Sequence, residues 1–365
     1  MIIHVVGARP NFMKLAPVYS ACAKRGFPQK IVHTGQHYDV NMSEIFFGQL
    51  GTPKPDINLG IGSFSHAVQT AKIMMCFEKV ILENQPDLVL VYGDVNSTVA
   101  AALVCAKLGV RIGHVEAGLR SFDRSMPEEI NRLLTDQIAD LLFTPSLDGN
   151  ENLLREGITE KKIHFVGNVM IDTLVRMLPE AMKRWQGGHM KIADTYVKPG
   201  FYALLTLHRP SNVDDKEILR KILDTMSEIS KEIPVIFPIH PRTRQLINHL
   251  QITTSDTKLF LTEPLDYLDF LALQRYATMV ITDSGGIQEE TTYLGVPCLT
   301  VRENTERPIT VTSGTNILVG QNIGLLLQEV KSIMSGKHKQ GSIPPLWDGQ
   351  AAERIAEIVN SFLNR

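Results

Sequence analysis

Short runs of apolar residues alternate with longer segments in which apolar residues recur at helical spacing, along the whole chain. In the first half the apolar runs are IIHVV, KIVHT, LVLVY, RIGHV, LLFTP and IHFVG; in the second half they are YALLTL, VIFPI, LFLTE, MVITD, CLTV and NILVG. Unbroken apolar runs are typical of parallel strands that are covered on both faces. The pattern therefore predicts two Rossmann-like, doubly wound α/β domains built from right-handed βαβ units.

The length of the chain also favours two domains, because a single hydrophobic core rarely exceeds about 250–300 residues and this chain has 365. The polar, glycine-containing segment KRWQGGHMKIADTYVKPG separates the two series of apolar runs. We expect an N-terminal domain over residues 1–170 and a C-terminal domain over 171–349. The last segment, residues 350–365, has the periodicity of an amphipathic helix.

Composition narrows the class of protein. The net charge of −2 gives no support for a nucleic-acid partner. The four cysteines form no CxxC pair, which argues against a structural zinc site and fits a reducing cytoplasm. The N-terminal run MIIHVVG is typical of a core strand, not of a signal peptide, and no apolar run approaches the roughly 18 residues of a membrane span. We therefore expect a cytoplasmic protein with no membrane partner.

Ligands of open α/β sheets bind beyond the carboxyl ends of the strands. The segments that directly follow the predicted strands are rich in Arg, His, Asp and Glu. The segments are GARP, TGQHYD, GDVNST, EAGLRS, HRPSN, HPRTR, DSGGIQEE and RENTERP.

The segment TDSGGIQEET predicts an anion site at the start of a helix. Ser284, Gly285 and Gly286 would lie at the helix N-terminus, where free N–H groups bind a diphosphate and glycines allow close approach. We expect Glu289 and Glu290 in the first turn, where negative charge is favourable. The alternative is an ordinary serine-capped helix.

Cations occur where a helix does not favour them. In GARPNFMK, Arg9 and Lys14 are predicted at a helix start, which already carries about half a positive charge. An anion bound there would offset the repulsion; the alternative is a side chain that extends to water. His208 and Arg307 are further candidates for phosphate contacts.

Three carboxylates belong to the first predicted domain. Asp94 follows the strand LVLVY, Glu116 follows RIGHV, and Glu128 comes directly after Pro127 at a predicted helix start. Each alone is compatible with a helix cap or a first-turn acid. Together, beside a cationic anion site, they are candidates for proton transfer.

Two cofactor classes are not expected. The first strand–helix turn lacks the G-x-G-x-x-G pattern, and no Tyr-x-x-x-Lys occurs, so NAD is not predicted. No H-E-x-x-H spacing indicates a metal.

The motifs GARPNFMKLAP, GDVNST, HVEAGLRS, MPEEINR, LTLHRPSNVD, HPRTR, TDSGGIQEE and NTERP occur in this order up to about residue 320. Together they resemble the non-hydrolysing UDP-N-acetylglucosamine 2-epimerases. The resemblance implies a glycosyltransferase-B arrangement with a nucleotide-binding C-terminal domain, a substrate cleft, and a C-terminal helix that packs back on the first domain. It also implies interconversion of UDP-N-acetylglucosamine and UDP-N-acetylmannosamine by UDP elimination and re-addition, with no cofactor or metal.

Carried over onto this sequence, the family's functional residues fall into two groups, with Glu290 expected to take the ribose hydroxyls. The nucleotide contacts would be Arg9, Ser284, Gly285, Gly286, Glu290 and Arg307, and the catalytic residues Lys14, Asp94, Glu116, Glu128 and His208.

The resemblance also implies a homodimer that supplies cell-surface polysaccharide synthesis. Gln36 matches a residue of the second site through which some members are activated by their substrate, whereas Asp39 and the SFSHAVQT segment do not. We expect weak or absent activation. The alternatives are a hydrolysing 2-epimerase, an epimerase of a modified UDP-sugar, a glycosyltransferase-B transferase, and a nucleotide-sugar-binding regulator.

Overall fold

The computed structural model describes residues 1–36, 44–185, 188–192, 195–239, 241–249 and 257–364. The chain divides into two compact units. Unit 1 comprises Met1–Thr173 and Pro345–Arg365, and unit 2 comprises Leu174–Pro344. Asp39 and His240, which belong to motifs quoted above, lie outside the described residues.

Unit 1 is a βα alternation that ends with the returning C-terminal helix. Its strands are β1 (Ile2–Val6), β2 (Gln29–His33), β3 (Ile57–Asn58), β4 (Leu88–Tyr92), β5 (Ile112–Val115), β6 (Leu141–Thr144) and β7 (Ile163–Phe165). Its helices are α1 (Arg9–Lys24), α2 (Glu44–Leu50), α3 (His66–Asn84), α4 (Asn96–Leu108), α5 (Pro127–Ile138), α6 (Leu147–Arg155), the start of α7 (Val169–Met182) and, at the chain end, α15 (Ala351–Leu363).

The seven strands of unit 1 form one parallel sheet in the order β3-β2-β1-β4-β5-β6-β7. At its centre, Ile2 of β1 pairs with Gln29 on one side and Leu88 on the other. All residues of β1 and β4 are buried, because helices cover both faces of the sheet. This explains why their sequences are continuous apolar runs.

Unit 2 repeats the same plan. Its strands are β8 (Met190–Ile192), β9 (Thr195–Val197), β10 (Ala203–Thr206), β11 (Val235–Pro238), β12 (Leu259–Thr262), β13 (Met279–Thr282), β14 (Cys298–Thr300) and β15 (Asn316–Leu318). Its remaining helices are α8 (Pro210–Val213), α9 (Lys216–Ile229), α10 (Pro241–His249), α11 (Tyr267–Tyr276), α12 (Gly285–Leu294), α13 (Pro308–Thr312) and α14 (Ile323–Met334).

The main sheet of unit 2 is also parallel, in the order β12-β11-β10-β13-β14-β15. Counted from β10, this is the strand order of a Rossmann fold. Each apolar run quoted above overlaps a strand, and the predicted pair of doubly wound α/β domains is confirmed. Two features were missed: the two-residue strand β3, and the antiparallel hairpin β8–β9, which lies in a segment predicted to be a connection.

The C-terminal segment is anchored within unit 1. Trp347 is buried, and its indole N–H donates to the carbonyl of Pro145 at 2.9 Å. The carboxylate of Asp172 accepts hydrogen bonds from the backbone N–H groups of Ala351 and Ala352 at 3.1 and 2.7 Å, which satisfies the free donors at the start of α15. α15 packs against α1, where Glu353 pairs with Lys24 at 2.9 Å.

The helices in the described part of the chain all fall short of the length and apolar character that a bilayer crossing requires.

Candidate active site

In each main sheet the strand order reverses at one position, where the next strand in the chain is added on the other side of the first strand. These positions lie between β1 and β4 in unit 1 and between β10 and β13 in unit 2. Such switch points open a crevice at the carboxyl ends of the two strands. Arg9 and Asp94 follow β1 and β4, and His208 and Ser284 follow β10 and β13. Sequence candidates therefore lie at both switch points.

The first helix of unit 1 begins at Arg9, as the sequence predicts, and is tied to the neighbouring strand. The side-chain oxygen of Asn11 accepts from the N–H groups of Gly7 and Ala8 at 3.2 and 3.0 Å. Its amide nitrogen donates to the carbonyl of Tyr92, at the end of β4, at 3.0 Å. A single asparagine thus holds together the two loops of the switch point.

Lys14 is the sixth residue of α1, beyond the first turn, so its prediction at the helix start is wrong, and its side chain is buried. Its Nζ forms an ion pair with Oε2 of Glu116, which follows β5 and is also buried. The alternative of a Lys14 side chain that extends to water is therefore wrong, because the protein itself supplies a counter-charge in Glu116. Gly93 is required beside this pair: its φ is +65°, and a Cβ there would lie 2.9 Å from Lys14 Nζ.

Asp94 belongs to a second ion-pair cluster. Its Oδ2 pairs with Nη1 of Arg132, whose Nη2 lies 2.7 Å from Glu129 Oε2. The cap of α4 is Val95, with no side-chain hydrogen bond, so the alternative of Asp94 as a helix cap is wrong. Burial alone would raise the pKa of Glu129, but the N–H of Ser121 and the guanidinium of Arg132 outweigh it and lower that pKa.

Arg132 was not singled out from the sequence, although it ends the quoted motif MPEEINR. Its spacing of three residues from Glu129 on a helix was the available signal. Glu128 lies in the first turn of α5, where the sequence predicts it.

Asp94 and Glu128 line one cavity of about 280 Å³ within unit 1. Its polar wall includes Gln69, whose Oε1 accepts from Asn96 Nδ2 at 2.8 Å. The complete lining is Gln36, Ser63, Phe64, His66, Gln69, Asp94, Val95, Asn96, Pro127, Glu128 and Asn131. Two of the three candidate carboxylates therefore line the same cavity.

The anion site predicted in unit 2 lies at the start of α12. Ser284 is the cap residue and makes no side-chain capping bond, and Gly285 and Gly286 open the helix. A Cβ on Gly286 would meet nothing within 4 Å, whereas one on Gly285 would lie 2.3 Å from Arg307 Nη1. The backbone at Gly286 is therefore open to a ligand, while Gly285 makes room for an arginine.

Glu289 and Glu290 do not lie in the first turn of α12, so that prediction is wrong. The helix begins at Gly285, which makes them its fifth and sixth residues, and both are buried. Glu289 Oε1 lies 2.9 Å from Nε of Arg307.

Arg307 is part of a cluster of opposite charges. Glu306 Oε2 lies 2.7 Å from Arg302 Nη2, and its Oε1 lies 3.6 Å from Arg209 Nη2 and also contacts Arg307. Burial alone would raise the pKa of Glu306, but the charges of Arg307 and Arg302 outweigh it and hold that pKa well below its usual range. With Glu289, three guanidiniums and two carboxylates meet in this cluster. Glu306 and Arg209 were missed, although both occur in quoted motifs.

Glu290 has a different environment. Its Oε1 accepts from the hydroxyl of Tyr267 at 2.8 Å. Burial raises the pKa of Glu290 to about 7; hydrogen bonds from Tyr267 and Gln274 oppose this shift and the charge of Glu289 adds to it. Glu290 therefore changes charge close to neutral pH.

His208 follows β10, with its side chain about half exposed. Its Nδ1 lies 2.8 Å from Oδ1 of Asp283, a buried residue that the sequence analysis did not single out. Among the described residues, no group of three or more His, Cys, Asp or Glu side chains has a geometry that would hold a metal ion.

The fold and the charged loops at both switch points define a doubly wound α/β protein of the nucleotide-binding class. The family model described as UDP-N-acetylglucosamine 2-epimerase matches residues 20–360. The chain belongs to this family, as its motifs predict.

Relatives of the chain match it along almost their whole length. The UDP-N-acetylglucosamine 2-epimerase of Methanocaldococcus jannaschii is 45% identical over 97% of each chain. The UDP-2,3-diacetamido-2,3-dideoxy-D-glucuronate 2-epimerase of Pseudomonas aeruginosa is 43% identical, over 98% of this chain and 99% of its own. The crystal structure of the Methanocaldococcus jannaschii enzyme in complex with UDP-GlcNAc and UDP is similar with a TM-score of 0.88, at 43% identity and 99% coverage of both chains.

The buried pair of Lys14 and Glu116 gives a stability prediction. Lys14→Met leaves a buried carboxylate without its counter-charge, so the free energy of unfolding should fall by about 3–5 kcal/mol. Urea denaturation measures this change. Lys24→Met, on the same helix but in an exposed pair, is the matched control and should cost at most about 1 kcal/mol.

The double variant Lys14→Met/Glu116→Gln should recover part of the loss, because no charge is then left buried. Equal stability of Lys14→Met and the wild type would contradict a buried ion pair at this position.

Proposed function

We propose that this chain interconverts UDP-N-acetylglucosamine and UDP-N-acetylmannosamine. A carboxylate removes the proton at C2 while the bond from C1 to the diphosphate oxygen breaks and UDP leaves with the electron pair. Protonation of C2 from the other face and re-addition of UDP complete the epimerisation. The observation that carries this proposal is the placement of carboxylates at one switch point and an open, cationic helix start at the other.

The nucleotide part of the proposal rests on unit 2. Backbone N–H groups at Ser284, Gly285 and Gly286 would bind the diphosphate, aided by Arg307. The motif resemblance also assigns Arg9 to the nucleotide contacts. Donors placed where charge develops on a leaving group typically contribute several kcal/mol to catalysis. The open backbone at Gly286 and the guanidinium of Arg307 next to Gly285 support this assignment.

The proton-transfer part rests on unit 1. Asp94 and Glu128 line the same cavity, and Asp94 has a guanidinium partner in Arg132. Glu116 carries Lys14 as its partner. We assign the base and the acid to the group Asp94, Glu116 and Glu128, with Lys14 holding the charge of Glu116. Elimination and re-addition leave the oxidation state of the sugar unchanged, so this route requires no redox cofactor such as NAD.

We further propose a cytoplasmic homodimer that supplies sugar nucleotide for cell-surface polysaccharide. Exposed Val68, Met75 and Leu82 recur every seven residues on α3, so they share one face of the helix, where a partner subunit could cover them. The four cysteines of the described chain are all free thiols, which is in keeping with a reducing compartment.

A related substrate is the second candidate. The Pseudomonas aeruginosa relative, named for a diacetamido glucuronate sugar, is almost as similar as the Methanocaldococcus jannaschii one, at 43% against 45% identity. The same elimination chemistry applies to that sugar, so the two candidates differ only in the groups that contact the hexose.

Product analysis tests the function. Incubation with UDP-N-acetylglucosamine, followed by proton and phosphorus NMR, should show UDP-N-acetylmannosamine with no accumulation of free UDP. Release of UDP together with free N-acetylmannosamine would indicate the hydrolysing alternative. Turnover of only UDP-2,3-diacetamido-2,3-dideoxy-D-glucuronate in a parallel reaction would move the assignment to that sugar, and no turnover of either would contradict the proposal.

Matched variants tie the activity to the carboxylates. Asp94→Asn and Glu128→Gln keep the shape of each side chain and remove its charge, so each should lower kcat by about 10²-fold or more. Glu160→Gln, an exposed carboxylate at the start of the short helical turn Glu160–Lys162, is the control and should keep full activity.

Glu290 generates a pH prediction. Its pKa is raised to about 7, and the ionised carboxylate is the better acceptor for ribose hydroxyls. The dissociation constant for UDP-N-acetylglucosamine, whose diphosphate stays ionised in this range, should therefore fall as pH rises from 6 to 8, by up to about tenfold. Calorimetric titration of wild type and Glu290→Gln measures it. An identical pH dependence in the variant would remove Glu290 from the nucleotide site.

A further inference from the structure

Asp283 lies at the switch point of unit 2, and the function proposed above assigns it no role. It directly follows β13, and His208 follows the paired strand β10, in which Thr206 lies opposite Thr282. The side chain of Asp283 is fully buried. A fully buried carboxylate needs hydrogen bonds or a counter-charge, since burial of an isolated charge is very costly.

Three donors besides the imidazole ring satisfy Asp283. Its Oδ2 accepts from the backbone N–H of His208 at 3.0 Å, from that of Arg209 at 2.9 Å, and from Asn212 Nδ2 at 3.1 Å. Burial alone would raise the pKa of Asp283, but the hydrogen bond and charge of His208, with the Arg209 N–H and Asn212, outweigh burial and lower it. Asp283 is therefore a buried anion.

The other oxygen of Asp283, Oδ1, also accepts from the backbone N–H of His208 at 3.1 Å and faces the ring of that residue. Oδ1 lies 2.8 Å from Nδ1, which is hydrogen-bond distance, and the His208 side chain is 57% exposed. A carboxylate accepts only, so Nδ1 must carry the hydrogen. Among the described residues no partner contacts Nε2. The contact therefore fixes the ring with Nδ1 towards the buried anion and Nε2 towards ligand-accessible space.

This orientation decides what the ring can donate. With Nδ1 protonated, a neutral ring has an unprotonated Nε2 and can only accept there. It donates from Nε2 only as the imidazolium, whose charge the buried Asp283 balances. A charged donor is the form that stabilises a departing diphosphate most strongly.

We propose that Asp283 is the positioning residue of the leaving-group step, holding His208 so that Nε2–H of its imidazolium donates to the diphosphate. As the C1–O bond breaks, the electron pair moves to the diphosphate oxygen, and the hydrogen bond from Nε2 strengthens with the growing charge. Re-addition of UDP reverses this change, and no covalent bond to the ring forms. The inference rests on the function proposed above.

A double-mutant cycle separates positioning from mere support of the loop. Asp283→Asn should lower kcat by at least about tenfold with little change in KM, because the interaction acts in the transition state. If Asp283 acts through His208, the double variant Asp283→Asn/His208→Gln should be no slower than His208→Gln by more than about twofold. Asp215→Asn, at the exposed cap of α9, where the carboxylate accepts from the backbone N–H groups of Glu217 and Ile218, is the matched control.

The proposal would be overturned if the kcat losses of the two single variants multiplied in the double variant. A wild-type kcat in Asp283→Asn would also overturn it. Circular dichroism and thermal unfolding of each variant establish that it is folded.

Nitrogen NMR of the wild type tests the same proposal without activity or a variant. At high pH, the ring nitrogens of ¹⁵N-histidine-labelled protein should show His208 as the tautomer with hydrogen on Nδ1, and titration with UDP should shift its Nε2 resonance. The opposite tautomer, or an Nε2 resonance unaffected by saturating UDP, would overturn it. An enzyme that passes this test but does not turn over either UDP-sugar would contradict the proposed function alone.

Discussion

The parallel arrangement of both main sheets is the constraint on which the rest of the molecule depends. Parallel strands have all their carboxyl ends at one edge, and helices cover both faces. Charged side chains are therefore rare in the strands and gather in the loops that follow them. The reversal of strand order between β1 and β4, and between β10 and β13, determines which of those loops become a binding crevice.

Inside these crevices, each unit holds its charges with partners of its own. Lys14 neutralises Glu116, and Arg132 bridges Asp94 and Glu129. Arg307 does the same for Glu289 and Glu306 in unit 2. Removing one partner of such a pair leaves a buried charge, so the groups assigned to chemistry are also groups on which local stability depends. Function and folding therefore share the same side chains.

The fold was predictable because its signal is local. Buried parallel strands are continuous apolar runs, and the glycines after β13 indicated an open helix start that the structure contains. Weak local signals were missed: β3 has two residues, and the hairpin β8–β9 lies in a polar segment.

The contacts of the site were less predictable, because they join residues that are far apart in sequence. Lys14 and Glu116 are 102 positions apart, and His208 and Asp283 are 75 apart. No spacing rule relates such pairs, so the sequence indicated the candidate residues but not their partners. Glu289 and Glu290 were misplaced for a different reason: a helix that starts at Gly285 carries them past its first turn.

The central claim is that one carboxylate removes the C2 proton and that another group delivers a proton to the opposite face of C2. Epimerisation in D₂O, followed by mass spectrometry and NMR of product from early turnovers, measures this most directly. A two-group proton transfer predicts deuterium at C2 of the product, because the donor carries a solvent-derived hydrogen. Product that keeps its original hydrogen at C2 throughout would contradict the account.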